Sequence, residues 1–559
     1  MRKYIIIILL SICSCSQNME QAYLQLLSTD PRLNPDSLKL GILIANDVWN
    51  KRPWAKEYEH NIFLNYILPP QMADEPVEHY WRTDIPRWTG IEHKGEGLLE
   101  FARLINSKIE VDTRHVDWGN DQMGYTATMS GKFGKCDDRS ILAVMAMRSM
   151  GVPAAFEFIP MWGSGNNGHS FCSVITPKDS VYIFQNRNDN GKYVHYPHKV
   201  PKVYRRLFFE DENTITYLNK DREVLPDIFA DHRIKDVTAM HSIGVRDISL
   251  TVQQSNCNCL CYLAVFHPNG WYPIAYGTMD NGNMSFQDVG TGTDAHGNIP
   301  LKGENIGNGI LYLPMMYSNG ITPIFNPIIV AKDKIRVLKP AKDTESIILT
   351  RKYPKLSRIE GFADKMIGGL IEVANKADFS DAQIVHYIES RPLSHIQKIH
   401  ISDEKSFRYI RYRKPSGVFS IAELQIFDQT GCRIVGNTIS CKALAQESGI
   451  ADVVDKNPLT FFEIPNGINL WTGIDLGKPL KVSAIGFCPR NDDNNISPGD
   501  TYELYYWDDR WICLEEKRAE SYSLRFNNVP KNSLLWLRNK TKGKEERPFT
   551  FDNGTQIWW

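Results

Sequence analysis

Residues 131–172, GKFGKCDDRSILAVMAMRSMGVPAAFEFIPMWGSGNNGHSFC, restrict the fold more than any other stretch of the chain. Gly134-Lys135 interrupts regular structure, and Ile141, Leu142, Met145, Ala146 and Met150 then recur near the helical period until Gly151 and Pro153 close the run. The β-prone AAFEFIP that follows reads as a strand, GSGNNG as a tight loop, and HSFCSVI as a second strand beginning at His169. A helix feeding two adjacent strands sets Cys136 at a helix N-terminus and His169 at a strand start, where the two side chains are able to meet.

That placement has chemical consequences. Unpaired N–H groups and the positive end of the helix dipole favour a thiolate, so the position predicts a lowered pKa for Cys136. Asp137 and Asp138 oppose the shift but suit a first helical turn. A nucleophilic thiol needs a base, and the base needs a group that holds its tautomer. His169 is the candidate base. After the turn Thr176 to Ser180, the strand VYIF runs into Gln185, Asn186, Arg187, Asn188 and Asp189, of which Gln185, Asn186 and Asp189 are the candidate orienting groups. Asp189 leads on charge and Gln185 on position. Cys172, on the strand of His169, reads as core.

The pattern G-x-C-x-D at 134–138, a helix ending R-x-x-G-V-P-A and H-S-F on a strand together resemble the transglutaminase-like (papain-type) family. Cys136 and His169 match the family's pair. Where that family usually has an aspartate after an aromatic strand, this chain has Phe184-Gln185. The resemblance implies an upstream polar donor for the tetrahedral oxyanion, for which Trp118 and Gln122 are candidates. It also implies hydrolysis of peptide or glycopeptide amides in preference to cross-linking, with no cofactor for catalysis.

At 559 residues the chain is too long for one core and implies about three or four domains. A net charge of −1 gives no field to gather nucleic acid, so that partner class is not expected. Arg2-Lys3 followed by YIIIILLSI reads as an export signal, and Ile12-Cys13-Ser14-Cys15 resembles a bacterial lipobox with Cys15 as the lipidated residue. The expectation is a cell-envelope lipoprotein that meets the membrane through its lipid alone. Removing Cys13 and Cys15 from 11 cysteines leaves nine, an odd number that requires a free thiol. Cys257, Cys259 and Cys261 alternate along one strand, a spacing that is not that of a zinc site and suits core packing first, with a partial disulfide or a metal as the minor alternative.

The expected fold class is multidomain α+β. Residues 1–15 form the lipoprotein signal, and 16–110 a helical prologue carrying MEQAYLQLL, DSLKLGILIANDVWN and GEGLLEFARLINSKI. Residues 111–230 form the transglutaminase-like α+β core. Residues 231–355 alternate as strands with Asn-Gly turns at 269, 281 and 319, and read as a β-sandwich of immunoglobulin-like size. Residues 356–559 carry FRYIRYRKPSGVFSIAELQIFD, LTFFE, W-x-G-I-D-L-G at 471–477 and PRNDDNNISPGDTYELYYW, and resemble a discoidin-like (F5/8 type C, galactose-binding-like) β jelly roll. That resemblance implies a glycan ligand and a structural Ca²⁺ held by Asp455, Asn457 and Thr460. Asn491 to Asn495 read as a solvated loop. The leading expectation is an exported thiol-dependent amide hydrolase. The contrasting one is an inactive glycan- or peptide-binding surface lipoprotein with a relict cleft.

Overall fold

The computed structural model describes Leu24 and residues 33–559, apart from 114–121, 179, 193–195, 210–213, 216–218, 220–222, 232, 253–257, 319, 402–404, 445–446, 448 and 544. The signal segment with Cys15, the oxyanion candidate Trp118 and Cys257 lie outside the described residues. The protein is a multidomain, strand-rich α+β chain. It divides into two compact units, Met1–Pro300 with Asn308–Lys339 and Trp559, and Leu301–Gly307 with Pro340–Trp558. Among the described residues no helix is long and apolar enough to cross a membrane.

The first unit opens with helices α1 (Pro35–Asn50), α2 (His60–Tyr66), α3 (Trp81–Thr89) and α4 (Leu98–Asn106). In α1 the Asn34 side chain accepts the N–H groups of Asp36 and Ser37, Pro35 stands in the first turn, and Leu38, Ile42, Ala45 and Trp49 form the buried stripe. Helix α5 (Tyr125–Gly131) leads through a short parallel pair, β1 (Asp112–Thr113) with β2 (Phe133–Gly134), into α6 (Cys136–Ser149). Every residue of α6 from Asp138 to Ser149 is buried. In a helix buried all round, polar side chains turn to backbone groups for partners, and Asp138 and Arg148 do so near its two ends. Asp138 accepts the backbone N–H groups of Lys135 at 2.7 Å and Met123 at 2.8 Å. Arg148 donates through Nε to the Ala154 carbonyl at 2.8 Å.

Strands β3 (Ala154–Ile159), β4 (His169–Ile175), β5 (Val181–Phe184), β6 (Tyr204–Arg206) and β7 (Ile234–Asp236) form an antiparallel sheet in the order β5-β4-β3-β6-β7. Period-two alternation divides its faces. Ala154, Phe156, Cys172, Val174 and Phe184 join the core that holds α6, whereas Ile159, Phe171 and Ile183 pack into a second core on the other face. Removing one of these large side chains costs about 2–5 kcal/mol. The β3–β4 connection closes tightly, with Trp162 N–H donating to the Asn167 carbonyl at 2.9 Å. A Cβ on Gly168 would lie 2.5 Å from the Ile159 carbonyl oxygen, so only glycine fits immediately before His169.

Strands β8 (Ile243–Thr251), β9 (Cys259–His267), β10 (Gly270–Asp280), β11 (Asn283–Asp294), β12 (Ile310–Tyr317), β13 (Ile321–Pro323), β14 (Ile328–Val330) and β15 (Ile335–Val337) form one continuous antiparallel sheet, β15-β14-β12-β9-β10-β11-β8, with β13 on β12. Asp280 pairs with Asn283, and Asn281 and Gly282 both take positive φ, the two-residue hairpin that an Asn-Gly pair specifies. Cys261 is buried in this sheet's core, in line with the packing expectation, but Cys259 is disulfide-bonded. Cys259, at the first position of β9, is half-buried and packs against the same core.

The second unit carries two cores. In one, a five-stranded sheet (Gln383–Tyr387, Leu370–Ala374, Ser406–Ile421, Phe462–Lys481, Asn437–Ser440) and a four-stranded sheet (Gln397–His400, Ala484–Cys488, Glu423–Phe427, Arg433–Ile434) bury Ile371, Ile410, Phe419, Leu424, Ile474 and Ile485. In the other, the pair Thr344–Leu349 with Leu524–Pro530 and a five-stranded sheet spanning 501–558 enclose Ile347, Leu504, Phe526, Leu537 and Phe549. Arg351 joins them, donating to Asn495 Oδ1 at 2.8 Å and Asp492 Oδ2 at 2.6 Å, while Asn495 donates to the Ser394 carbonyl at 2.6 Å. Asn494 is 2% and Asn495 8% exposed, so the Asn491 to Asn495 run is a buried junction and not a solvated loop. Packing between the two cores, which local composition does not encode, makes the difference.

Candidate active site

Cys136 is the first residue of α6 and His169 the first of β4. Both line one cleft of about 1170 Å³, together with Gln122, Asp137, Trp162 and Ser170. The Ser170 backbone N–H points at the Cys136 thiol, and Trp162 stacks on the His169 ring with centroids 5.7 Å apart and planes within 23°. The cleft is therefore walled by a helix start and a strand start, held against each other through the α6 core.

The orienting position follows from strand register. Cys172 pairs with Phe184, and Phe184 points into the α6 core. Continuing that register puts Gln185 opposite Phe171, diagonal to His169 and on its face of the sheet. The Gln185 side chain is hydrogen-bonded to the imidazole, while its Nε2 is buried with no partner among the described residues. Asp189 acts one step back: its Oδ2 accepts the backbone N–H groups of Gln185 at 2.6 Å and Asn186 at 2.8 Å. Asn186 contributes its carbonyl to Asn106 Nδ2 at 2.8 Å, and Asn106 in turn accepts from Arg139 Nη2 at 2.8 Å. Helix α6 thus reaches through Arg139 and Asn106 to the turn that carries Gln185.

The electrostatics reverse one expectation. Burial, followed by the neighbouring Asp137 carboxylate, pushes the Cys136 thiol up to about 11, although it does occupy a helix N-terminus and faces the Ser170 N–H. Two or three oriented dipoles do not offset desolvation when a full negative charge sits alongside. Burial also lowers the pKa of His169; Gln185, Asp137 and Asp189 pull it upward, and Arg139 pushes it further down. Both groups are therefore held toward their neutral forms.

Gln122 Oε1 accepts the Asp74 N–H at 3.0 Å, which fixes the amide orientation and leaves its NH₂ end as a donor at the cleft. Asp455, Asn457 and Thr460 belong to the second unit. Asp455 accepts from the Asn457 N–H at 2.7 Å and the Thr460 hydroxyl at 2.9 Å, and Asn457 Oδ1 accepts the Leu459 N–H at 3.1 Å. Burial and then the nearby Asp455 raise the Glu423 carboxyl beside this turn to about 7.

No family model matches the chain, and no curated protein matches it. The chemistry of the site rests on its geometry. Sequence reasoning missed Trp162, Ser170 and His198 as parts of the cleft. Trp162 also lies against His198, with ring centroids 5.5 Å apart, and only the fold brings residues 162, 169 and 198 together. The Gly-rich run after Trp162 was the available signal, since a tight loop next to a candidate base fixes the residues at its mouth.

Proposed function

We propose that Cys136 is the nucleophile and His169 the general base of an amide hydrolase acting on peptide or glycopeptide amides. The observation that carries this reading is the thiol at a helix start and the imidazole at a strand start lining one cleft, with Gln185 on the imidazole from behind. With both groups neutral at rest, the thiol proton passes to His169 as sulfur bonds to the carbonyl carbon. The oxyanion then meets the Gln122 amide and a first-turn N–H of α6. Collapse expels the amine, which takes the proton from His169. Water, deprotonated by His169, then hydrolyses the thioester and frees Cys136.

The likeness to transglutaminase-like proteins, the lipid anchor on Cys15 at the cell envelope, the discoidin-like glycan-binding module and its calcium at Asp455 belong to the same proposal. The test is a peptide and glycopeptide library incubated with the protein, with an electrophilic amide probe for an acyl-enzyme. Cleavage abolished by Cys136→Ala and by His169→Ala, non-additively, is the expected result. A second reading, a binding lipoprotein with a relict cleft, is favoured by the amide of Gln185 at the orienting position and by the raised thiol pKa. Ligand binding without cleavage or an acyl-enzyme establishes that one.

A further inference from the structure

Asp137 is a liability if the cleft acts alone. Its Oδ1 lies 3.7 Å from Cys136 Sγ and is held there by the Ser170 hydroxyl. A thiolate and a tetrahedral oxyanion would both form against that carboxylate. Its neighbour Asp138 is consumed by two backbone N–H groups, whereas Asp137 Oδ2 has no hydrogen-bond partner among the described residues. The rest of the cleft does not correct the imbalance. Among the described residues four carboxylates line it, from Asp74, Asp137, Asp227 and Asp231, against two fixed cations, from Lys135 and Arg206. Arg206 is committed to Asp74 and Asp231, each at 2.8 Å.

We propose that Asp137 is the recognition group for a cationic substrate, an amide whose acyl residue carries a free ammonium beside the scissile carbonyl. The inference rests on the hydrolase reading above and names its substrate class. In an α-amino acyl group the ammonium nitrogen stands about 2.5 Å from the carbonyl carbon. Sulfur approaches that carbon to roughly 3–3.5 Å before bonding. An ammonium so placed falls within reach of a carboxylate 3.7 Å from the sulfur. Pairing cancels the charge that opposes the thiolate, so the correct substrate activates its own nucleophile. The thiol proton still goes to His169, and no further reactant is required.

The test reads the charge at Cys136 without needing turnover. Full-length protein is treated with 2-aminoethyl or 2-sulfonatoethyl methanethiosulfonate; in each case the Cys136 thiolate displaces methanesulfinate and forms a mixed disulfide. Modification is followed by mass on the Cys136 peptide, with exposed Cys432 and Cys513 as internal references. The cationic reagent is expected to react about tenfold faster than the anionic one, a preference that Asp137→Asn removes while the references stay unchanged. Ser170→Ala, which releases the carboxylate, is expected to reduce the preference partway and gives a second variant should Asp137→Asn not fold. A preference unchanged in folded Asp137→Asn overturns the inference. In the library assay, equal cleavage of free and acetylated amino termini overturns it while leaving the hydrolase reading intact. A charge preference lost in Asp137→Asn, in a protein that cleaves nothing, keeps Asp137 as an ammonium site and removes the hydrolase reading.

Discussion

Two patches on the same face of the β5-β4-β3-β6-β7 sheet treat buried ionisable groups in opposite ways. In one, Glu157 of β3 is fully buried yet receives Arg205 at 2.6 Å, His241 at 2.9 Å and the Ser173 hydroxyl, and Arg205 also reaches the Tyr66 hydroxyl at 3.0 Å. Burial works against its ionisation, and Arg205 with His241 overcomes it, holding the carboxyl at about 2. At the cleft, Cys136 has a carboxylate for a neighbour and His169 a neutral amide, and burial pushes both toward their uncharged forms. Desolvation is common to the two places. What differs is whether the fold supplies an opposite charge, as it does where a strand pair has to be locked and does not where a substrate has to enter.

The largest expected effect comes from breaking the satisfied side. Glu157→Ala strands Arg205 inside the protein and is expected to destabilise it by about 3–5 kcal/mol, read as a lowered midpoint of denaturant unfolding. The pH dependence has a definite sign. The folded carboxyl titrates at about 2, below its ordinary 4.5, so its stabilisation is complete above 4.5 and is lost as pH falls toward 2. Unfolding midpoints of wild type and Glu157→Gln that change in parallel through that window would contradict the comparison.

A smaller change sharpens it from the other side. Gln185→Asp replaces the neutral amide on the imidazole with a carboxylate and is expected to raise the pKa of His169 by roughly 1–3 units, measured by NMR titration of the ring. Asp189→Asn, which loosens two backbone contacts and acts on the ring only from a distance, is expected to move it less. The reverse order would make Asp189 the orienting residue.

The smallest effect is expected at the exposed turn of the second unit. Asp455→Ala removes the acceptor of the Thr460 hydroxyl and the Asn457 N–H, a loss of about 0.5–1.5 kcal/mol in thermal unfolding. If calcium binds there as proposed, a chelator lowers the melting temperature of wild type and leaves that of Asp455→Ala unchanged.

The sequence by itself determined the local elements. Gly134, Gly151 and Pro153 bracket α6, Asn281-Gly282 makes its hairpin, and Gly168 closes the turn before His169, because each depends on the backbone limits of a few adjacent residues. It also placed Cys136 and His169 at element starts. Only the tertiary structure decided their surroundings. Whether Gln185 or Asp189 faces the imidazole depends on the pairing of Phe184 with Cys172, and the buried Asn494 and Asn495 depend on a second core that packs beside the first. The pKa of Cys136 follows the same rule: the helix dipole and the adjacent Asp137 are legible in the chain, but desolvation, and the Ser170 hydroxyl that holds the carboxylate beside the thiol, come only when distant segments close over it, and burial prevails.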